Sequence, residues 1–368
     1  MVNDVGGASR DQQVADPSVG TLLIRPGGVG VIVLAAVGAF LYLGGWFSPH
    51  KLTPARFTDA FEQTFGVHSG FRRNHAKGVC LTGFFESNGK GTRLSKAEIF
   101  QPGRYPVIGR FSIGGGDPYG ADSPDAVRAI GLQFFQPDGE KWRTAMISLP
   151  IFPFKDPQGF YDNMVASLPD PNTHKPDPEK MKAFLANHPE TIRAFGIIKS
   201  HPLPSGFDNS TFYSINAFRF VDGNEASTPV RWTLVPVQPF VAADTAAPPT
   251  DRNYLFDGLI ASIHQHPLQW RLVLIIGQPG DSTSDPSSPW PDTREQVEAG
   301  TLTVDTIESE ENSPARDINF DPMVLPSGIA PSDDPFLSAR SAVYSQSFTR
   351  RAGETKEPSA ITPSEVQK

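Results

Sequence analysis

The sequence predicts an α+β fold: an antiparallel β-barrel with surrounding helices, preceded by one transmembrane helix. Three observations carry this. Short β-like runs bounded by Gly and Pro recur through the middle of the chain. The 36 prolines and 33 glycines among 368 residues imply long connections and little continuous helix. Residues 27–47, GGVGVIVLAAVGAFLYLGGWF, carry no charge. As a helix that run would rise roughly 30 Å, the thickness of a bilayer's hydrocarbon core.

Residues 1–26 are largely polar and Gly-rich and read as a disordered tail. Tyr42 and Trp46, near the far end of the apolar run, suit an interfacial anchor. No A-x-A-like site follows the run, so an uncleaved anchor is expected rather than a signal peptide. Arg10 and Arg25 precede it, and Lys51 and Arg56 follow, which leaves orientation open. A short tail, one span and a large domain read most simply as N-terminus inside and domain outside. The expected location is therefore a bacterial inner membrane, single-pass, with the domain in the periplasm.

The main domain is expected over 53–351. Thr53-Pro54 combines a capping residue with Pro at the first helical position, and Phe57, Phe61 and Phe65 follow at i, i+4, i+8 as packing residues. From His75 the pattern becomes strand-like, over 75–85, 107–112, 129–135, 212–221, 230–238 and 270–276. Gly114-Gly-Gly116 and Pro137-Asp-Gly139 are turns. This strand spacing predicts an antiparallel barrel. Residues 160–200 read as helical, 279–292 as a loop and 320–335 as an extended, Pro-punctuated segment. A closing helix is expected over 334–349, capped by Ser332 or Asp333. Residues 352–368 are polar and read as a flexible tail.

A net charge of −8 without a basic stripe argues against a nucleic-acid partner. Cys80 is the one cysteine, which excludes an intramolecular disulfide and any CxxC metal site. The 26 phenylalanines suit a large apolar cavity or an ordinary core. His264-Gln-His266 has no neighbouring Cys or carboxylate and is a weak metal candidate.

The chemistry-bearing residues lie in three segments. Arg340 and Tyr344 are four apart, so on a helix the guanidinium and the phenol meet on one face. A cation there favours phenolate, which can ligate haem iron. Taken alone, such a pair reads as a surface contact. The second segment, Arg72-Arg-Asn-His-Ala-Lys-Gly78, supplies His75, a residue able to move a proton between two peroxide oxygens. The third ends in Arg110-Phe-Ser112. A serine hydroxyl beside a histidine can fix its tautomer, and arginines such as Arg72 and Arg110 suit the two carboxylates of a haem.

Taken together, seven motifs resemble the haem catalases in order and approximate spacing. They are His75-Ala-Lys-Gly78, Gly109-Arg-Phe-Ser112, Pro150-Ile-Phe152, Lys155-Asp-Pro157, Phe320-Asp-Pro322, Pro326-Ser-Gly-Ile329 with Pro331-Ser332, and Arg340-x-x-x-Tyr344. The resemblance spans residues 53–351. It implies haem b as cofactor, His75 as the distal histidine and Ser112 as its hydrogen-bonding partner. It implies Tyr344 as the iron ligand and Arg340 as the arginine that keeps it ionised. Arg72, Arg110 and Arg351 match propionate-binding arginines, and Phe160 matches a phenylalanine over the distal face, with Phe152 near the same pocket.

Two departures shape the expected function. Ile147 stands where catalases carry a distal Asn, and strand alternation points Ser148 the other way. The long segment and helical domain that follow the proximal tyrosine in catalases have no counterpart here, which implies a more open pocket and a monomer or homodimer. Both departures, with the N-terminal apolar run, resemble the small catalase-related peroxidases of bacteria. The implied activity is peroxidase turnover on hydrogen peroxide or small organic peroxides with a small organic electron donor, and weak catalase activity at most. The alternatives are a haem-binding carrier or sensor, and a catalase-like enzyme rearranging lipid hydroperoxides.

Overall fold

The computed structural model describes residues 19–43, 52–170, 173, 175–246 and 249–367. The chain divides after Thr53 into two compact units. The first contains helix α1, Val19–Leu43. The remainder of the expected 27–47 span lies outside the described residues. Among the described residues no helix is long and apolar enough to cross a membrane. Arg25 and Pro26 fall inside α1. This corrects the expected transmembrane helix, and with it the membrane partner and the inner-membrane, periplasm-facing location.

The second unit opens with α2 (Pro54–Phe65), β1 (Gly78–Ser87), β2 (Gly103–Ile113), β3 (Arg128–Phe135) and β4 (Lys141–Ile147). Helices α3 (Pro157–Ala166), α4 (Pro178–Asn187) and α5 (Pro189–Ser200) follow. Then come β5 (Phe212–Tyr213), β6 (Phe218–Val221), β7 (Ser227–Pro236), α6 (Tyr254–Gln265), β8 (Leu268–Ile276) and β9 (Gln296–Glu308). The unit ends with β10 (Ile329–Pro331), α7 (Pro335–Ala352) and α8 (Pro363–Val366). The strands run in the order β10-β6-β7-β5-β4-β3-β2-β1-β9-β8, and β8 pairs back onto β7. Eight antiparallel strands therefore close into a barrel, with β6 and β10 added outside the ring. Closure leaves no exposed edge within the ring.

Two strands escape the sequence pattern. β4 is short and half polar. β9 buries Val297, Leu302 and Val304 and exposes Gln296, Glu298 and Asp305, but a register shift against β8, beside Gly300, breaks its alternation. The expected 212–221 strand divides into β5 and β6, because Ile215 takes a left-handed backbone, φ 56°. Aromatic rings fill the barrel: Phe134 stacks on Trp142 at 4.9 Å, Trp142 meets Trp232 at 5.2 Å, and Phe111 meets Trp270 at 5.7 Å. This dense interior leaves binding to the space between the barrel wall and the helices.

Helices α3, α4 and α5 each begin with Pro, and Asp156 and Asp177 cap the first two by accepting from Gly159 N and Glu179 N. Asp334, not Ser332 or Asp333, caps α7, accepting from Phe336 N at 2.8 Å, and the helix runs three residues past its expected end to Ala352. The segment after α7 differs from the flexible tail expected there. Ile361 and Val366 are buried, Ser309 Oγ donates to Ile361 O at 2.7 Å, and a Thr362–Glu365 capping box opens α8. The expectation rested on the segment's polarity, whereas two buried apolar residues and hydrogen bonds, Arg316 Nη2 to Glu357 O and Ser359 N to Glu311 Oε1, both at 2.8 Å, dock it.

Candidate active site

His75 lies in the loop between α2 and β1, and its backbone is left-handed, φ 56°. That conformation is costly for a residue with a Cβ, so neighbours must hold it. Asn74 Oδ1 accepts from His75 N and Gly115 N, both at 2.9 Å, and Ala76 N donates to Gly115 O at 2.9 Å. Arg110, on β2, donates to His75 O and Ala76 O, both at 2.8 Å. Gly78 makes room for this, since a Cβ there would lie 2.5 Å from Arg110 Cζ. Ser112 Oγ stands 3.5 Å from His75 Nδ1. Burial, then the charges of Arg110, Arg340 and Arg72, push the His75 ring down to about 3. The imidazole is therefore neutral at ordinary pH.

Arg340 and Tyr344 meet on α7 as their spacing predicts. Arg340 Nη2 donates to Tyr344 Oη at 3.4 Å, with Cζ 5.7 Å from the ring centroid. The guanidinium is fixed from outside the helix: Nη2 also donates to Ala145 O at 3.0 Å, and Nη1 to Asn216 Oδ1. Asn216 Nδ2 in turn donates to Asp334 Oδ2 at 2.7 Å. One carboxylate thus caps α7 and anchors the amide that orients Arg340. Neither Asn216 nor Asp334 was singled out from sequence.

A cationic cluster stands beside His75. Arg72 Nη1 donates to Glu310 Oε1 at 3.1 Å, and its Nη2 faces the carbonyls of Arg316 and Ile318, each at 3.0 Å. Arg110 Nε donates to Glu310 Oε1 at 2.6 Å. Arg351 Nη1 donates to Arg316 O at 2.9 Å. Burial and the charges of Arg110 and Arg351 push Arg72 down to about 9, against the pull of Glu310. Burial opposes the charge of Glu310, but Arg110 and Arg72 outweigh it and hold its carboxyl below the usual range. Glu310 was also missed from sequence.

All eight expected residues, Arg72, His75, Arg110, Ser112, Phe160, Arg340, Tyr344 and Arg351, line one cavity of about 500 Å³. Phe160 is 5.7 Å from Phe152 and stacks on Phe154 at 5.1 Å. Phe57 and Phe61, read from sequence as packing residues, pack against Phe160 and also line the cavity. Ile147 lines it too. Ser148 does not: its Oγ accepts from Arg128 N at 3.0 Å, across the sheet. Among the described residues no cluster of three His, Cys, Asp or Glu could hold a bare metal ion. The donor set fits haem instead: a phenol oxygen braced by an arginine, a neutral imidazole, apolar ring walls, and a group of guanidiniums with an excess of positive charge.

A model of the catalase family matches residues 70–361. The chain is 37% identical over 308 residues to a catalase-related peroxidase of Synechococcus elongatus, covering 83% of this chain and 90% of that one. It is 32% identical over 305 residues to a catalase-related peroxidase of Mycolicibacterium paratuberculosis, covering 82% and 96%. The solved structure of a bacterial catalase superposes with a TM-score of 0.69 at 19% identity, covering 78% of this chain and 58% of that chain, which shows the fold. The chain spans a little over half the length of such full catalases, 56% for the rat enzyme. With the family model matching most of the chain, and relatives of similar length carrying the peroxidase name, the chain belongs to the catalase family, as a peroxide-consuming oxidoreductase close to the small catalase-related peroxidases.

Proposed function

We propose that the chain is a haem b peroxidase that reduces hydrogen peroxide or a small organic peroxide with electrons from a small organic donor. One observation carries the reading: His75 with Ser112, and Tyr344 with Arg340, line the same cavity. Tyr344 would hold the iron and Arg340 would brace its oxygen. Arg72 and Arg351 would meet the haem carboxylates, and Phe160 would cover one face. Arg110 would share that role; like Arg72, it already donates to Glu310 and to two carbonyls. Bound there, haem supplies the redox chemistry, taking two oxidising equivalents from the peroxide and returning them to the donor.

The chain's own residues do the rest. Ser112 at Nδ1 leaves Nε2 of His75 to face the substrate. Nε2 accepts a proton from one peroxide oxygen and delivers it to the other as the O–O bond breaks. The peroxide gains two electrons and two protons in all, leaving as water plus an alcohol, or as two waters. Ile147 offers no hydrogen bond to a second hydrogen peroxide, which supports donor oxidation over oxygen release. Phe195 on α5 lines the cavity yet is 38% exposed, which gives an apolar organic donor a surface to approach.

The test is His75→Ala. The variant should bind haem with the parent absorption spectrum and lose peroxide-driven oxidation of an aromatic donor by at least about a hundredfold. Undiminished turnover, or a parent protein that binds no haem, overturns the reading.

A further inference from the structure

Glu310 lies two residues past the end of β9 and is 2% exposed. The proton transfer described above gives it no part. Its two oxygens grip one guanidinium: Oε1 accepts from Arg110 Nε at 2.6 Å, and Oε2 from Arg110 Nη2 at 3.3 Å. The far side of that guanidinium carries the His75 loop, through the carbonyls of His75 and Ala76. One planar fork therefore has a carboxylate on one side and the strained turn on the other.

The geometry points to Glu310 as a positioning residue that holds His75 in place through Arg110. Three features support this. A bidentate carboxylate fixes the plane of a guanidinium, which a single contact does not. Both groups are buried, so water cannot replace either partner at low cost. And His75 holds a left-handed backbone that relaxes to the right-handed or extended regions unless braced. Gly78 preserves the space in which the fork crosses. Glu310 also accepts from Arg72 Nη1, so the same carboxylate sets a second cavity arginine.

The inference rests on the reading of His75 as the proton-moving group, but its test does not need turnover. Glu310→Gln keeps the shape, removes the charge and turns an N–H toward the guanidinium. Hydrogen exchange is followed by mass spectrometry in the haem-loaded full chain. The peptide over 72–80 should exchange about tenfold faster than in the parent, while the peptide over 128–135 on β3 keeps its protection. Peroxide kcat/KM per bound haem should fall about tenfold. Arg110→Lys, which keeps the charge but loses the fork, should loosen 72–80 alike, and the double variant should add little to either single one. If Glu310→Gln does not fold, the Arg110→Lys protein carries the test alone. Unchanged exchange over 72–80 in a folded variant overturns the inference, as does equal loosening of 72–80 and 128–135. A parent without peroxide activity overturns the functional reading and leaves the exchange result standing.

Discussion

Arg340 Nη2 stands 3.4 Å from Tyr344 Oη, one helical turn earlier on α7, and it is aimed by groups from outside that helix. Spacing on a helix brings two side chains near each other but leaves the longer one free to swing into solvent. Here Ala145 O from the barrel wall and Asn216 from the β5–β6 connection remove that freedom. The contact is thus a product of the barrel as much as of the helix.

Asn216→Leu should uncouple the pair. Asp334 would lose its 2.7 Å partner while buried, and Arg340 would lose an acceptor. A buried polar group left unpaired costs about 1–3 kcal/mol, which urea unfolding would read. Peroxidase kcat/KM should fall about 10-fold or more, in line with other groups that orient a metal's ligand. An unchanged kcat/KM would show that Arg340 holds its place without the amide.

Stability should also track the His75 ring. In the unfolded chain a histidine takes a proton below about pH 6.5, whereas in the fold burial and the neighbouring arginines delay this to about 3. Between those values the unfolded state binds more protons, so stability rises with pH through the window and is fully present above it. Acidification from pH 7 toward 4 should lower the unfolding midpoint, and His75→Gln should flatten that part of the profile. Parallel profiles for the two proteins would show that other groups govern acid unfolding.

The proposed site residues are legible because the chemistry asked of them restricts them to few types at set spacings: His75, Ser112, Arg340 and Tyr344 stand in short motifs. Their supports are not. Glu310 and Arg110 are 200 positions apart, and Asn216 and Arg340 are 124 apart. Nothing local marks one glutamate or asparagine as buried beside a given arginine. Similar limits apply to the fold. β2 and β3 carry short β-like runs bounded by Gly and Pro, while β9 has an interrupted alternation whose meaning depends on its pairing with β8. By hydropathy alone the apolar run before residue 47 reads as a span, although Arg25 falls inside the helix that forms there.

Ile147→Asn should shift the balance of activities. The side chain lines the cavity on β4, so an amide there could hydrogen-bond a peroxide. Oxygen release from hydrogen peroxide should rise relative to oxidation of an aromatic donor, measured side by side on one preparation. The amide gives up apolar contacts, at a cost of about 1–3 kcal/mol. An unaltered ratio would place the limit on oxygen release elsewhere in the cavity.

Lys77 belongs to the same short motif as His75, yet its work is structural. It is 2% exposed, and Nζ donates to Asp122 Oδ1 at 2.7 Å, Arg252 O at 2.8 Å and Gly120 O at 3.0 Å, with the Phe256 ring 5.4 Å away. Asp122 Oδ2 accepts in turn from Leu255 N at the start of α6, so the pair ties the His75 loop to that helix. Burial pushes the Asp122 carboxyl up even with Lys77 in place. Lys77→Met would strand it, at a cost of about 3–5 kcal/mol. Burial alone would then raise the carboxyl further, so this variant should lose stability as pH climbs above the unfolded carboxylate's range. Lys77→Met with Asp122→Asn removes both charges and should recover part of the loss. Equal stability of the single and double variants in urea would show that the pair contributes no coupling, and that the lysine's bonds to the two carbonyls carry the whole effect.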